Sequence, residues 1–177
     1  EIEGQQQNLE LVNTLRKYVP GFEDCQLSHM FPFIGIRESR RFCGVRTLTE
    51  QMVMSGEIPE DTVGLGSYII DLHDGEGKST ICKKVKPYGL PYGMTCSADI
   101  PNLMFSGRCA SSDAVAMSSA RVMPPLMALA QGAGVGAALA VKQHKFPADV
   151  DVQEIRSILQ RDGVMLEPLK DAKELHF

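Results

Sequence analysis

The sequence predicts an α+β fold in which a β-rich segment is followed by one strand and one long helix. Between residues 27 and 91, short apolar runs alternate with glycine and proline, which is typical of strands joined by turns. Residues 103–105 form a further apolar run between Pro101 and Gly107. Residues 122–141 then carry no charge. These observations favour a sheet-containing first part and a buried helix in the second.

The first part of the chain predicts one helix and two strands. Residues 1–18 bring apolar side chains near one face of a helix, and Pro20 and Gly21 end it. Residues 27–36 are apolar and β-prone, so we expect a strand that leads into the arginines that follow it. Residues 42–48 predict a second strand.

A short helix and two more strands are predicted next. Thr49 has the side chain of a helix N-cap, and the helix stops by Gly56. Residues 62–72 predict a strand, residues 75–78 a turn, and residues 81–85 another strand. The polar loop at Ser111-Ser112-Asp113, which follows the apolar run, is expected to lead straight to the long helix.

The long helix is predicted to begin at Pro124 and Pro125, where missing N–H groups cost nothing, and to end at Gln143. Residues 151–162 predict an amphipathic helix, and residues 166–177 a tail. Glycine in a helix costs about 1 kcal/mol against alanine, so a row of small residues indicates close packing. That row, at i, i+4 spacing, is Ala128, Gly132, Gly136 and Ala140.

The start of the long helix is a candidate anion site. Its unpaired N–H groups and the helix dipole make a positive end, and Arg121 lies beside it. Such a site favours an anion, or a group that becomes anionic during a reaction. A plain buried helix with an arginine at its entrance explains the same pattern, and the local sequence alone favours that simpler interpretation.

Composition and charge exclude several classes of protein. The chain has 177 residues and a net charge of -4, and its basic cluster at 37–41 is short and interrupted by Glu38, so no nucleic-acid partner is expected. Five cysteines show neither a CxxC pair nor zinc-ligand spacing. We therefore expect free thiols in the cytoplasm and no metal site. No signal peptide is visible, and because the chain begins at Glu1 rather than Met, we expect a fragment.

A membrane span was weighed for residues 122–141. Their length suffices, and Gly132 and Gly136 form a GxxxG pair. The stretch holds only three leucines and three valines, however, together with two prolines, three glycines and a glutamine. Spanning helices normally carry far more large aliphatic side chains, so no membrane partner is expected.

The same glycines resemble a nucleotide-binding fingerprint. Residues 132–137 fit G-x-G-x-x-A, with Asp151 at a distance suitable for a ribose contact. The fingerprint must follow a strand, however, and two prolines stand directly before the residues that would have to form it. Close packing of a helix is the better explanation.

His73 is a candidate acid or base, because it stands between Asp71 and Asp74 at a predicted strand end. A solvated turn histidine is the alternative. Arg37 and Arg40, with Arg41, are candidates for binding a substrate carboxylate through paired N–H donors. Surface ion pairs with nearby glutamates are the alternative there.

Three blocks of sequence, in this order and spacing, resemble the C-terminal portion of the bacterial FAD-dependent oxidoreductase family, over roughly residues 1 to 165. They are KYVPGFE at 17–23 with GIRESRR at 35–41; GSY at 66–68 with IDLHD at 70–74; and NL at 102–103 with SGRC at 106–109, running on to RVMP at 121–124.

The resemblance implies three parts within a larger α/β flavoprotein. Residues 1–100 would be a β-rich segment of the substrate domain with an N-terminal helix. Residues 101–143 would be the returning strand and helix of the FAD-binding domain, and residues 144–177 a C-terminal helix and tail. The family's N-terminal G-x-G-x-x-G fingerprint, which holds the FAD pyrophosphate, is missing from this sequence. We therefore expect the isolated chain to bind FAD weakly or not at all, and to be inactive.

The resemblance also implies roles for individual residues. Gly107 and Arg108 would lie by the ribityl chain of the flavin, with Cys109 in the same block. Residues 121–123 and the helix start would lie by the pyrimidine edge of the flavin. This edge acquires negative charge on reduction, and a helix N-terminus with an arginine would stabilise that charge. This reverses the preference for the simpler interpretation. The residues expected to contact the cofactor are Gly107, Arg108, Cys109, Arg121, Val122 and Met123.

The implied activity is hydride transfer between a small organic substrate and the flavin. The candidate substrate-contacting residues are Arg37, Arg40, His73 and Tyr92, and His73 is the candidate for proton transfer. The expected partners are the small substrate and the fingerprint segment of the same protein, with a homo-oligomer possible by analogy. The alternative hypothesis is a non-enzymatic binding or oligomerisation module that has lost the cofactor.

Overall fold

The computed structural model describes residues 1–73 and 80–169, and the chain divides into two compact units. The first unit comprises Glu1–Arg37, and the second begins at Glu38. The predicted turn at 75–78 and most of the predicted tail lie outside the described residues. The three parts implied by the family resemblance remain a prediction.

The first unit is built on α1, which spans Ile2–Tyr18 and confirms the predicted N-terminal helix. None of its residues is buried. The expected strand at 27–36 is wrong, because this stretch has no regular secondary structure. Its apolar side chains, such as Phe31 and Phe33, are exposed and find no sheet partner within the unit.

The second unit contains the other helices and both sheets. Four short strands form two antiparallel pairs: β1 (Thr62–Gly66) with β4 (Tyr88–Pro91), and β2 (Ile70–His73) with β3 (Thr80–Lys83). The mixture of helices and small sheets confirms the α+β class. The single strand predicted over 62–72 is instead two strands in different sheets, since the chain leaves β1 at Gly66 before it enters β2.

The described part of the second unit also contains four α-helices, about which one prediction is confirmed and one is wrong. Thr49 accepts a hydrogen bond from Met52 N and caps α2, as predicted. The predicted polar loop before the long helix contains a further helix, α3, capped by the Asp113 carboxylate. The helices are α2 (Glu50–Ser55), α3 (Ala114–Ala120), α4 (Met123–Gln143) and α5 (Val152–Arg161).

Two strands expected from apolar runs are not formed. Residues 42–48 make only isolated bridges, at Gly44 with Ser97 and at Leu48 with Ser112. Residues 103–105 make a single bridge, between Met104 and Cys96. An apolar run marks a segment for burial, but a ladder also needs a neighbouring strand in register, which these segments do not find among the described residues.

Close packing of α4 on the sheet explains its glycines. A Cβ atom on Gly132 would lie 2.6 Å from Val63 Cβ of strand β1, and one on Gly136 would lie 2.6 Å from Tyr92 Cζ. The Tyr92 hydroxyl donates to the carbonyl of Pro147 at 2.9 Å, and burial raises the pKa of Tyr92 above its ordinary value. The row of small residues therefore brings α4 against β1 and Tyr92; the sequence predicted close packing along this row but not these partners.

Helix α4 is long and apolar enough to span a membrane, and among the described residues it is the one helix that passes this test. One third of its most apolar window is buried inside the chain. Its glycine face packs against β1, and α5 also contacts it. These contacts are those of a core helix in a folded domain.

Candidate functional site

An ion-pair network lies directly before α4 and is centred on Arg121. This residue connects α3 to α4, and its side chain is only 9% exposed. One terminal nitrogen, Nη2, donates to the backbone carbonyl of Asp71 at 2.7 Å, and the other, Nη1, lies 3.3 Å from Glu38 Oε2. Arg121 thus joins three segments that are far apart in sequence.

Asp71 and His73 carry the network into strand β2. Alternation along the strand puts both side chains on one face. Asp71 Oδ2 lies 3.7 Å from Arg121 Nη2, and Asp71 Oδ1 lies 3.2 Å from His73 Nε2. On its other side, His73 Nδ1 lies 3.1 Å from the hydroxyl of Thr80, the residue directly across the hairpin.

Arg41 extends the network at its other end, because its Nη1 lies 3.7 Å from Glu38 Oε1. The sign of charge therefore alternates along the row Arg41, Glu38, Arg121 and Asp71 and ends at the titratable His73. Each carboxylate has a cation on one side at least, which offsets the free energy of withdrawing it from water.

The start of α4 is open to solvent beside this network. Val122 is the N-cap, and the side chain of Met123, the first helical residue, is 75% exposed. The prolines at 124 and 125 have no N–H groups, so the helix offers fewer donors here than a typical N-terminus. Its dipole remains, and the opening leaves room for an electronegative group.

A turn at Gly107–Cys109 packs against α4 and forms a short 3-10 helix. Gly107 has a φ of 85°, which favours glycine, and a Cβ there would meet no atom within 4 Å. Arg108 is exposed, and the Cys109 thiol donates to the carbonyl of Ser106 at 3.3 Å. The turn therefore presents free space above its backbone.

Two serine hydroxyls flank this turn without hydrogen-bond partners. Ser106 Oγ and Ser112 Oγ are the buried side-chain oxygen or nitrogen atoms without a partner in the described parts of the chain. A buried hydroxyl without a partner costs about 1–3 kcal/mol, a cost that a bound water, an ion or a ligand would relieve. Both atoms belong to the block that contains Gly107.

The other candidate residues lie on other segments of the chain. Arg37, the last residue of the first unit, and Arg40 are both exposed. Tyr92 is 4% exposed and packs beneath Gly136, roughly 20 Å along α4 from its first residue at 1.5 Å per residue. His73 is joined to Arg121 through Asp71.

Sequence reasoning missed four residues that the structure brings to this region. The local sequence marks Glu38 only as a surface partner of the neighbouring arginines, and it does not mark Thr80. Ser106 and Ser112 have the pattern of ordinary turn and loop residues. The only sequence signal was proximity: each lies within, or a few residues from, one of the three blocks that resemble the flavoprotein family.

A family model described as FAD dependent oxidoreductase matches residues 1–159. The chain belongs to this family. No curated protein and no solved structure matches the chain. The three blocks on which the resemblance rested are the ones that meet here, since Glu38 lies in the first, Asp71 and His73 in the second, and Arg121 in the third.

The residues present fit a flavin on two observations. A Cβ on Gly107 would meet no atom within 4 Å, so a ligand can approach the backbone of this turn closely. The exposed first turn of α4 suits an electronegative ring edge. The Arg121 guanidinium is paired with Glu38 and Asp71, so its charge is offset within the network and it acts by holding the segment before α4 in place.

Proposed function

We propose that this chain supplies the substrate-facing side and part of the cofactor site of an FAD-dependent oxidoreductase. The reaction is hydride transfer between a small organic substrate and the flavin. One observation carries the proposal: Arg121 joins the His73–Asp71 pair to the start of α4, so a proton-transfer group and a positive helix end share one network.

The roles of the residues follow from their chemistry. FAD, when bound, supplies the two-electron redox step. The helix dipole at Val122 and Met123 favours negative charge on a ring edge placed there. His73 exchanges the substrate proton, because an imidazole beside a carboxylate accepts and releases protons near neutral pH. Arg40 is proposed to orient the substrate from the exposed segment that precedes Arg41.

The partner that completes the cofactor site is proposed to be a segment with the family's G-x-G-x-x-G fingerprint. An apolar cavity of about 480 Å³ lies beside the last turns of α4 and includes Met104, Val141 and Phe146. Val141 is 78% exposed, and Met104 makes only one sheet bridge. Exposed apolar surface beside a segment that makes only a single β-bridge suits the docking of a further strand and helix.

Purified chain offers a direct test of this partner. We expect that the chain alone loses FAD on dialysis, and that adding the fingerprint-containing segment in trans increases retention at least tenfold. Val141→Asp should abolish that increase, whereas Val45→Asp, at another exposed valine, should not. Stoichiometric flavin retained by the chain alone would contradict this part of the proposal.

His73→Ala in the full-length enzyme tests the activity. General acid–base groups contribute about 10²–10⁴-fold to rate, so turnover should fall in that range while flavin content stays constant. His29→Ala is the matched control, because it removes another exposed histidine, one that lies in the first unit. Unchanged turnover of the His73 variant would exclude His73 from proton transfer.

We expect the enzyme in the cytoplasm, as its five free cysteines suggest.

A further inference from the structure

We infer that Asp71 is a positioning residue that selects Nδ1 of His73 as the nitrogen that exchanges the substrate proton, and that the Thr80 hydroxyl relays this proton to Nδ1. This inference rests on the proposed function for the identity of the reaction. The contacts that His73 makes with Asp71 and Thr80 are independent of that function. Asp71 Oδ1 lies 3.2 Å from Nε2, and Thr80 Oγ1 lies 3.1 Å from Nδ1.

The chemistry of the carboxylate fixes the tautomer. An ionised carboxylate only accepts hydrogen bonds, so the Nε2 atom that faces Asp71 must carry the hydrogen. The neutral ring then has its lone pair on Nδ1, where the Thr80 hydroxyl donates to it. When the ring is protonated, Nδ1–H donates to the same oxygen. Thr80 therefore pairs with His73 in both protonation states.

Strand geometry explains why these three residues meet. Asp71 and His73 are two positions apart in β2 and lie on one face, and the hairpin register sets Thr80 directly opposite His73. Arg121 in turn holds Asp71 by its backbone carbonyl at 2.7 Å and faces the carboxylate oxygen that His73 does not use. The imidazole is therefore oriented through Asp71 by a side chain that is itself almost buried.

This arrangement specifies a proton path for the oxidation of a substrate hydroxyl. FAD, when bound, would accept the two electrons and the hydrogen of the substrate C–H bond, and the chain's own residues would take the proton that the hydroxyl oxygen loses as it becomes a carbonyl. That proton passes to Thr80 Oγ1, while the proton of the Thr80 hydroxyl passes to Nδ1 of His73. Asp71 stabilises the resulting imidazolium, and reduction of a carbonyl follows the same path in reverse.

The test is the tautomer of His73, measured on the chain by imidazole ¹⁵N NMR at a pH where the ring is neutral. The signal is assigned from its absence in His73→Gln. We expect the Nε2–H form to exceed the Nδ1–H form roughly tenfold or more, as one hydrogen bond to a charged group implies. Asp71→Asn should lower this ratio several-fold, because an amide can rotate to donate to Nε2.

Thr80 and a control complete the experiment. Thr80→Val should broaden or shift the Nδ1 signal, and Thr80→Ser, which keeps the hydroxyl, should restore it. Asp99→Asn, at an exposed aspartate, should leave the His73 signals unchanged. A dominant Nδ1–H form, or an Asp71→Asn spectrum identical to the original, would overturn the inference.

Enzyme kinetics distinguish this inference from the proposed function. In the full-length enzyme, Asp71→Asn should lower kcat about 10–100-fold with KM nearly constant, the usual cost of losing such an orienting partner. A fixed tautomer without flavin-dependent turnover would refute the proposed function alone. Turnover that depends on His73, with an unbiased tautomer, would refute the inference alone.

Discussion

The guanidinium of Arg121 donates to the backbone carbonyl of Asp71 at 2.7 Å, across fifty residues of sequence. The same side chain lies 3.3 Å from Glu38 and is almost buried. Two carboxylates from separate segments are therefore compensated by one cation. This relationship makes Arg121 both a support of the fold and the centre of the candidate site.

Replacing Arg121 by alanine should reduce the free energy of unfolding by about 2–4 kcal/mol, because two partly buried carboxylates lose their shared cation. Arg121→Lys should cost less, since it keeps the charge but cannot donate to both partners in the same geometry. Urea unfolding measures both. Arg161→Ala is the control, as its pair with Asp162 is exposed and should change stability by less than about 0.5 kcal/mol. Equal effects of the Arg121 and Arg161 variants would contradict this prediction.

Two glycines of α4 should respond oppositely to alanine. Gly136→Ala inserts a Cβ 2.6 Å from Tyr92 Cζ, so we expect a net loss of about 1–3 kcal/mol despite the better helix propensity of alanine. A Cβ on Gly134 meets nothing within 4 Å, so Gly134→Ala should stabilise by about 0.5–1 kcal/mol. Thermal unfolding compares the two variants. A stabilised Gly136→Ala variant would show that α4 does not pack on Tyr92.

The Asp113 carboxylate serves two helices. It accepts from Ala116 N at 2.7 Å at the start of α3 and from Glu50 N at 2.6 Å at the start of α2. Asp113→Ala should therefore cost about 2–3 kcal/mol, more than the ~1 kcal/mol of one cap. Asp151→Ala, which removes a cap with one bond to Gln153 N, provides the comparison in denaturant. The prediction fails if the two variants lose equal stability.

Alkaline pH should unfold the chain through its buried tyrosines. Burial raises the pKa of Tyr88 to about 12 and raises that of Tyr92 as well, whereas tyrosine in an unfolded chain ionises near 10. Above pH 10 the unfolded state binds fewer protons, so stability is complete below that pH and falls as pH rises towards 12. The loss is up to about 1.4 kcal/mol per pH unit for each tyrosine.

Denaturant titrations between pH 9 and 11.5 measure this slope. Tyr88→Phe should roughly halve it, because one of the two buried phenols is gone. Its hydroxyl pairs with Ser119 Oγ at 2.8 Å, so this variant should also lose some stability at neutral pH. A variant curve that stays parallel to the original from pH 9 to 11.5 would argue against burial of Tyr88 as the cause.

Local pattern predicted most helices, and only part of the site. Residues 2–18, 123–143 and 152–161 are helical as their periodicity and caps indicated. Helix α3 was missed because small polar residues before it resemble a loop, although Asp113 followed by an alanine-rich stretch is a capping signal. The three failed strand predictions, at 27–36, 42–48 and 103–105, concern apolar runs whose pairing depends on distant segments.

The ion-pair network around Arg121 also depends on contacts between distant segments, which the local sequence does not reveal. His73 and Arg121 were singled out because their chemistry and neighbours were visible locally. Glu38 lies 83 positions from Arg121, and Thr80 meets His73 only through the hairpin register. Which acid compensates which base is a property of the tertiary fold, so the sequence supplied the participants in part but not their pairing.

The packing of α4 on Val63 and Tyr92 has a consequence for the first turn of the helix. A rotation of α4 by one residue is about 100°. It would remove Gly132 and Gly136 from these contacts and bring residues that carry a Cβ atom against the strand. The rotation of α4 about its axis is therefore fixed near the middle of the helix. A substitution of Tyr92 would change the orientation of α4, and would thereby move its first residue, Met123, which lies roughly 20 Å away and is not itself changed.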